Sequence, residues 1–254
     1  MTETDYKKLD KKMNESLFIV PFFNEEKRMP LGEFLRAFET FPEIDFLLVN
    51  DGSSDQTRII LDDFAINFSN VKTLDLKINQ GKAEAIRAGI LFSKQFEYQY
   101  LGYLDADLST PISEMIRLLA FSKANPNLDI TMGTRIKLLG NSVVRSSKRH
   151  YLGRIFATII SNFILKTPVY DTQCGAKIIK SEVAHFLFED KFQTRWLFDV
   201  EMLLRLKNAK GNLENYVAEL PLTTWIEKGN TKIKFKEFVN FPFQLTKIYL
   251  KDAI

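Results

Sequence analysis

Tyr100-Leu-Gly-Tyr-Leu-Asp-Ala-Asp107 is an apolar run of strand length that ends in two carboxylates one residue apart. On an extended chain residues i and i+2 point the same way, so Asp105 and Asp107 are expected side by side. Carboxylates so placed repel, and each tends to keep the other protonated unless a cation lies near them. Such a pair suits Mg2+ or Mn2+ shared with substrate phosphates. Asp-x-Asp alone is a common pattern, and its position directly after a strand is what gives it weight.

The same arrangement recurs outward from this stretch. Ser16-Leu-Phe-Ile-Val-Pro21 and Phe46-Leu-Leu-Val49 are also short apolar runs that end in turn chemistry. Between them lie segments of helical period, with Ile60, Leu61, Phe64 and Phe68 on one face, then Ala83, Ile86 and Ile90 on another. Thr110-Pro111 opens a further helix carrying Ile112, Met115, Ile116 and Leu119 on one side. Strand alternating with helix predicts an α/β domain with a Rossmann-like, mostly parallel central sheet flanked by helices. In such sheets ligands bind at the carboxyl ends of the strands. The second half is less regular: a long helix is expected over 143–166, strands over 175–180 and 215–222, and a helix over 196–208.

Composition narrows the function. The 254 residues are 45% apolar and include 22 Phe, ample for one large core. A net charge of +3 creates no global field for nucleic acid, so no nucleic-acid partner is expected. One Cys excludes an internal disulfide, and with only two His a zinc site is disfavoured. Residues 1–15 read as a flexible leader without the apolar stretch of a signal peptide. The longest mostly apolar run, 152–165, is shorter than the roughly 20 residues of a spanning helix. A cytoplasmic protein, soluble or peripheral at the inner face of a membrane, is the expectation. The basic entry Arg145, Lys148, Arg149 and Arg154 and the tail over 236–254, expected as a basic amphipathic helix in which Lys and aromatic residues interleave, suit a membrane interface. Core packing with a solvated charged face explains them as well.

Five more polar clusters punctuate the chain. Pro21-Phe-Phe-Asn-Glu-Glu26 follows the first strand and places Asn24 and Glu25 where a ligand meets them, or where a helix is capped. In Asn50-Asp-Gly-Ser-Ser-Asp55, Gly52 permits a tight turn and Ser53 or Ser54 can cap the next helix. Asp51 there is placed to accept hydrogen bonds from a nucleoside. Asn79-Gln-Gly-Lys-Ala83 offers backbone N–H groups and Lys82 to an anion, without the glycine spacing of a Walker loop or a Rossmann fingerprint. Asp171-Thr-Gln-Cys-Gly-Ala-Lys177 is a polar run in an apolar region. In Arg195-Trp-Leu-Phe-Asp-Val-Glu201, a helix would point Asp199 and Glu201 about 200° apart, so one of them faces a given site.

In this order the clusters resemble the family 2 glycosyltransferases, and among them the dolichyl-phosphate β-glucosyltransferases and bacterial polyprenyl-phosphate relatives. Gly133-Thr-Arg135 and Trp225-Ile-Glu-Lys-Gly-Asn-Thr-Lys232 belong to the same set of matching stretches. Together they cover roughly residues 16–235. The resemblance implies a GT-A fold and an inverting, metal-dependent hexosyl transfer from a nucleotide sugar, UDP-glucose favoured, to a polyprenyl phosphate. It implies that Pro21, Asn24, Glu25 and Asp51 line the base and ribose pocket, that Lys82 lies near the donor, and that Asp105 and Asp107 frame the metal and the diphosphate. Arg135, Asp171, Gln173 and Arg195 would surround the sugar and the acceptor phosphate, with Asp199 and Glu201 completing that wall. Ala176 departs from the family, whose members often carry a bulky aromatic there.

The acceptor decides the remaining chemistry. A sugar hydroxyl needs a base, for which Asp199 is the candidate. A lipid phosphate, largely ionised at neutral pH, needs cations, and Arg135, Lys177 and Arg195 suit that role. The rival readings are a transferase acting on a saccharide hydroxyl in surface polysaccharide synthesis and a non-catalytic nucleotide-sugar binding protein.

Overall fold

Ser16–Phe22 (β1) is apolar toward both faces, the pattern of a strand covered on two sides. Leu17 and Ile19 join one core, while Phe18, Val20 and Phe22 join the other. Asp45–Asp51 (β2) repeats this division, Leu47 and Val49 against Phe46 and Leu48. In the computed structural model, residues 14–144, 153, 156–228, 243–245 and 248 are described.

Seven strands form the main sheet. Val71–Leu76 (β3) pairs with β2, and β1 sits between β2 and Tyr100–Tyr103 (β4). Ile130–Thr134 (β5), Lys177–Lys180 (β7) and Val217–Pro221 (β8) complete it in the order β3-β2-β1-β4-β7-β5-β8. Among the described strands of this sheet only β7 runs antiparallel, to β4 and to β5. The mostly parallel sheet flanked by helices that the alternation predicts is therefore present.

Helices Leu31–Thr40 (α1), Thr57–Asn67 (α2) and Ile112–Ala124 (α4) cover the Phe18/Phe46 face. There Phe38 packs within 5.0–5.9 Å of Phe34, Phe46, Phe64 and Phe68, which explains much of the phenylalanine content. Lys82–Ser93 (α3), Ser181–Leu187 (α5) and Phe198–Lys210 (α6) cover the Leu17/Leu47 face. Gly89 is required on α3, since a methyl there would meet Ile19 at 2.6 Å.

The helix expected over 143–166 is corrected at its start and is present over 156–165. Ser142–Val144 is a strand (β6) paired in parallel with Thr224–Ile226 (β9). Val143 and Trp225 stand opposite each other and both are buried, so cross-strand packing outweighs the apolar periodicity downstream. Residues 156–159 are helical and widen into the π-helical turn Ile160–Leu165, which ends at Lys166 in the left-handed region. The leader up to residue 13, the basic residues from Arg145 to Arg154 and almost all of the 236–254 tail lie outside the described residues.

Candidate active site

The loops after β1 and β2 are tied to each other by their own polar groups. Asn24, at φ 50°, donates its N–H to Ser53 Oγ at 3.0 Å and accepts from Ser54 N–H at 2.8 Å through Oδ1. Glu25 N–H donates to Thr57 Oγ1 at 2.8 Å, and Glu26 N–H to Asp55 Oδ2 at 3.2 Å. Ser53 and Ser54 therefore brace the neighbouring loop instead of capping α2. Asp55 Oδ1 takes the Thr57 N–H at 3.0 Å. Pro21 lies near the end of β1, opposite Val49.

Asp51 holds a third loop. Its carboxylate accepts the N–H groups of Gln80 at 2.8 Å and Gly81 at 2.9 Å, and Asn79 Nδ2 at 2.9 Å. Two of the N–H groups expected to receive a ligand anion are thus turned toward the protein's own carboxylate. Burial raises the Asp51 carboxyl above its usual range, while the two N–H groups and nearby Arg195 pull against that rise. Gly52 makes the approach possible, because at φ +66° a side chain would meet the Ile78 carbonyl carbon at 2.5 Å.

Lys82 then carries this loop to the carboxylate pair, where its Nζ forms an ion pair with Asp105. Burial alone would lower the ammonium's pKa, yet Asp105, Asp199 and Asp107 together hold it above the ordinary value. The chain leaves β4 before the pair, so Asp105 and Asp107 lie in a turn and not on an extended strand. Asp107 Oδ1 accepts the Ser109 N–H at 2.8 Å, and Leu108 takes φ 49°. The carboxyl of Asp107 is raised by burial and then by the charge of Asp105. Among the described residues no three His, Cys, Asp or Glu side chains enclose a cation. Two carboxylates under mutual repulsion fit a hard divalent ion that completes its shell with phosphate oxygens and water.

The second half of the site is assembled from distant segments through buried charge. Arg135 makes a two-pronged contact with Asp171, Nε to Oδ2 at 2.7 Å and Nη2 to Oδ1 at 2.8 Å, and its guanidinium lies 5.4 Å from the Trp225 ring. Burial opposes its charge, but Asp171 raises its pKa well above the ordinary value. Lys177 is completely buried and gives its ammonium to Cys174 O at 2.6 Å, Asp199 Oδ1 at 2.7 Å and Thr172 O at 3.0 Å. Tyr103 also donates to Asp199 Oδ1, at 2.5 Å. The idea that Lys177 serves as a free cation for a phosphate is corrected by these three contacts. Glu201 points away from Asp199, accepting Gln193 N–H at 2.8 Å and pairing with Arg205 at 2.7 Å, as the helical geometry predicts.

Arg195 is exposed and lies across Gly81, whose missing side chain leaves room for it: a methyl there would sit 3.1 Å from Arg195 Cδ. Gln173 Nε2 is buried and meets no acceptor among the described residues. Cys174 is buried, and burial pushes its thiol up to about 11, against the pull of Arg135, so it stays protonated and chemically quiet.

Two residues escape sequence reading. A methyl on Gly175 would overlap the carboxylate of Asp105, so the 171–177 run touches the aspartate pair at this glycine. Glu219, on β8, accepts the N–H groups of Tyr170 at 2.6 Å and Asp171 at 2.7 Å. An acidic residue between Ala218 and Leu220 was its only signal.

A sheet of this order, with a carboxylate pair past the end of β4, defines a GT-A glycosyltransferase fold. Residues 17–188 match the profile described as "Glycosyl transferase family 2". The chain belongs to that family. A dolichyl-phosphate β-glucosyltransferase of Trichomonas vaginalis is 32% identical over 244 residues, covering 91% of this chain and 69% of that one. One from Dictyostelium discoideum is 31% identical over 229 residues, covering 85% and 67%. Glucosyl-3-phosphoglycerate synthase from Mycobacterium tuberculosis, solved with Mn2+, UDP-glucose and phosphoglyceric acid, superposes with a TM-score of 0.68 at 14% identity, over 94% of this chain and 79% of that one. Among the described residues no helix is long and apolar enough to cross a membrane.

Proposed function

We propose that the chain is an inverting hexosyltransferase that moves glucose from UDP-glucose to a polyprenyl phosphate at the inner face of a membrane. The observation that carries the choice of acceptor is the engagement of Asp199. A hydroxyl acceptor must lose a proton to a positioned base. Asp199, the candidate for that role, is buried between the Lys177 ammonium and the Tyr103 hydroxyl. A phosphate monoester, with its second pKa at about 6, is already a nucleophile at neutral pH and asks only for cations. The exposed guanidinium of Arg195 and the edge of Arg135 supply them. The dolichyl-phosphate relatives support the same acceptor class, and the UDP-glucose complex of the structural neighbour supports the donor.

On this reading Pro21, Asn24, Glu25 and Asp51 form the nucleoside side of the cleft. Lys82 lies beside the diphosphate, where its charge offsets the negative charge that grows on the leaving group. Asp105 and Asp107 would hold Mg2+ or Mn2+, which supplies Lewis-acid stabilisation to the departing diphosphate. Arg135, Asp171, Gln173 and Arg195 orient the acceptor phosphate for attack on the anomeric carbon from the face opposite the diphosphate.

The test is transfer of radiolabelled sugar from UDP-glucose to a short polyprenyl phosphate, with Mg2+ or Mn2+ and with chelator. Metal-dependent label in the lipid phase is the expected result. Metal-dependent hydrolysis of UDP-glucose without transfer would remove the acceptor assignment and keep the donor site. Loss of neither activity on chelation would remove the metal.

A further inference from the structure

We propose that Glu219 is a positioning residue that sets the height and direction of the Arg135 guanidinium through the backbone of Tyr170 and Asp171. It rests on the acceptor role given to Arg135 above. Three links make the relay. The Glu219 carboxylate receives the N–H of Tyr170 at 2.6 Å on one oxygen and that of Asp171 at 2.7 Å on the other. The Asp171 carboxylate then grips Arg135 at Nε and Nη2, and takes the Arg135 backbone N–H at 3.2 Å. The guanidinium so fixed lies over Trp225.

The relay spans the sheet edge. Glu219 is on β8, paired opposite Met132, and Arg135 directly follows the end of β5. Asp171 lies on neither strand and opens the polar 171–177 run. Replacing Glu219 removes both of these bonds from the turn at Tyr170 and Asp171. Burial of the carboxyl would favour its neutral form, and the two N–H groups oppose this by bonding the charged one. A carboxylate kept in so unfavourable a place for two backbone donors suits the fixing of a turn to a fraction of an ångström. Lys177 performs the opposite task on the same turn, holding its carbonyls at Thr172 and Cys174. The run is thus anchored by an anion at its N–H groups and by a cation at its carbonyls.

The experiment compares Glu219→Ala with the isosteric Glu219→Gln, which keeps one acceptor oxygen and turns an NH2 group toward the other donor. Wild type and both variants are measured for the KM of a short polyprenyl phosphate, for UDP affinity in the presence of Mn2+, and for thermal midpoint. A positioning role predicts an acceptor KM raised about tenfold or more, because small misplacement of a binding group is costly. UDP affinity should stay within about twofold of wild type. A second readout does not need turnover: in a Trp196→Phe background, acrylamide quenching reports the cover that Arg135 gives Trp225, and quenching should rise in both Glu219 variants. An unchanged acceptor KM with unchanged quenching overturns the proposal. So does an equal loss of UDP affinity and acceptor binding, the mark of a general structural role. If wild type itself fails to use polyprenyl phosphate, the acceptor reading falls, and the quenching measurement alone decides the role of Glu219.

Discussion

The two halves of the site are built by different chemistry. On the side proposed for the donor, the loops after β1, β2 and β3 are joined by hydrogen bonds between neighbouring backbone and side-chain groups, with Asp51 accepting three of them. On the side proposed for the acceptor, Arg135–Asp171 and Lys177–Asp199 are ion pairs in which every side chain is mostly or fully buried. Short hydrogen bonds between adjacent loops fix a cleft at small energetic risk, since each contributes only about 1 kcal/mol. Buried ion pairs are unforgiving: removal of one partner leaves a charge with no solvent. The first half should therefore tolerate single changes that touch neither Asp51 nor the carboxylate pair, whereas the half built on buried ion pairs should lose stability abruptly.

The strongest test of that division lies at its boundary. Asp107→Ala should lower metal-dependent turnover by on the order of a thousandfold while the thermal midpoint stays near that of wild type. Turnover assays and calorimetry of the same preparation check both parts, and retained activity would place the metal elsewhere. Next in size, Lys177→Met should destabilise the fold by about 3 kcal/mol, read from urea denaturation, because Asp199 loses its buried counter-charge. Combining it with Asp199→Asn should recover part of that loss; strict additivity would mean that the two charges do not stabilise each other.

Gly175→Ala tests the contact between the halves. The added methyl overlaps Asp105 Oδ2, so the carboxylate has to move. A shift of about 1 Å at a catalytic group costs on the order of a hundredfold in rate. The expected signature is a raised metal requirement with little change in denaturation midpoint. Unchanged metal dependence would show that Asp105 accommodates the methyl without leaving its position.

What sequence reveals follows the same division. The donor loops are contiguous stretches directly after apolar strands, so β1, β2, β4 and the residues Asn24, Asp51, Lys82, Asp105 and Asp107 are legible from local pattern. The acceptor half depends on pairings distant in sequence. Insertion of β7 antiparallel between β4 and β5 has no periodic signature, and neither has Glu219 reaching across 48 residues to Asp171. Lys177 reads as a free cation because burial cannot be seen in a polar run. Val143 reads as helical because its partner Trp225 is far along the chain. Asp105 and Asp107 read as an extended pair just after the strand, and the structure presents them from a turn that follows Tyr103.

The mildest expected change in turnover is the most discriminating for mechanism. Asp199→Asn keeps an oxygen for both Lys177 and Tyr103 but removes the negative charge. Stability should fall, because the Lys177 ammonium then lies buried beside a neutral group. Below the unfolding temperature, however, turnover with a phosphate acceptor should fall by less than about tenfold, since the acceptor brings its own charge and no proton has to be removed. A hydroxyl acceptor would make the same substitution severe, about 10²–10⁴-fold, the usual contribution of a general base. Measured at fixed temperature on protein shown to be folded, the size of this one change therefore separates a carboxylate that organises the acceptor wall from one that takes a proton.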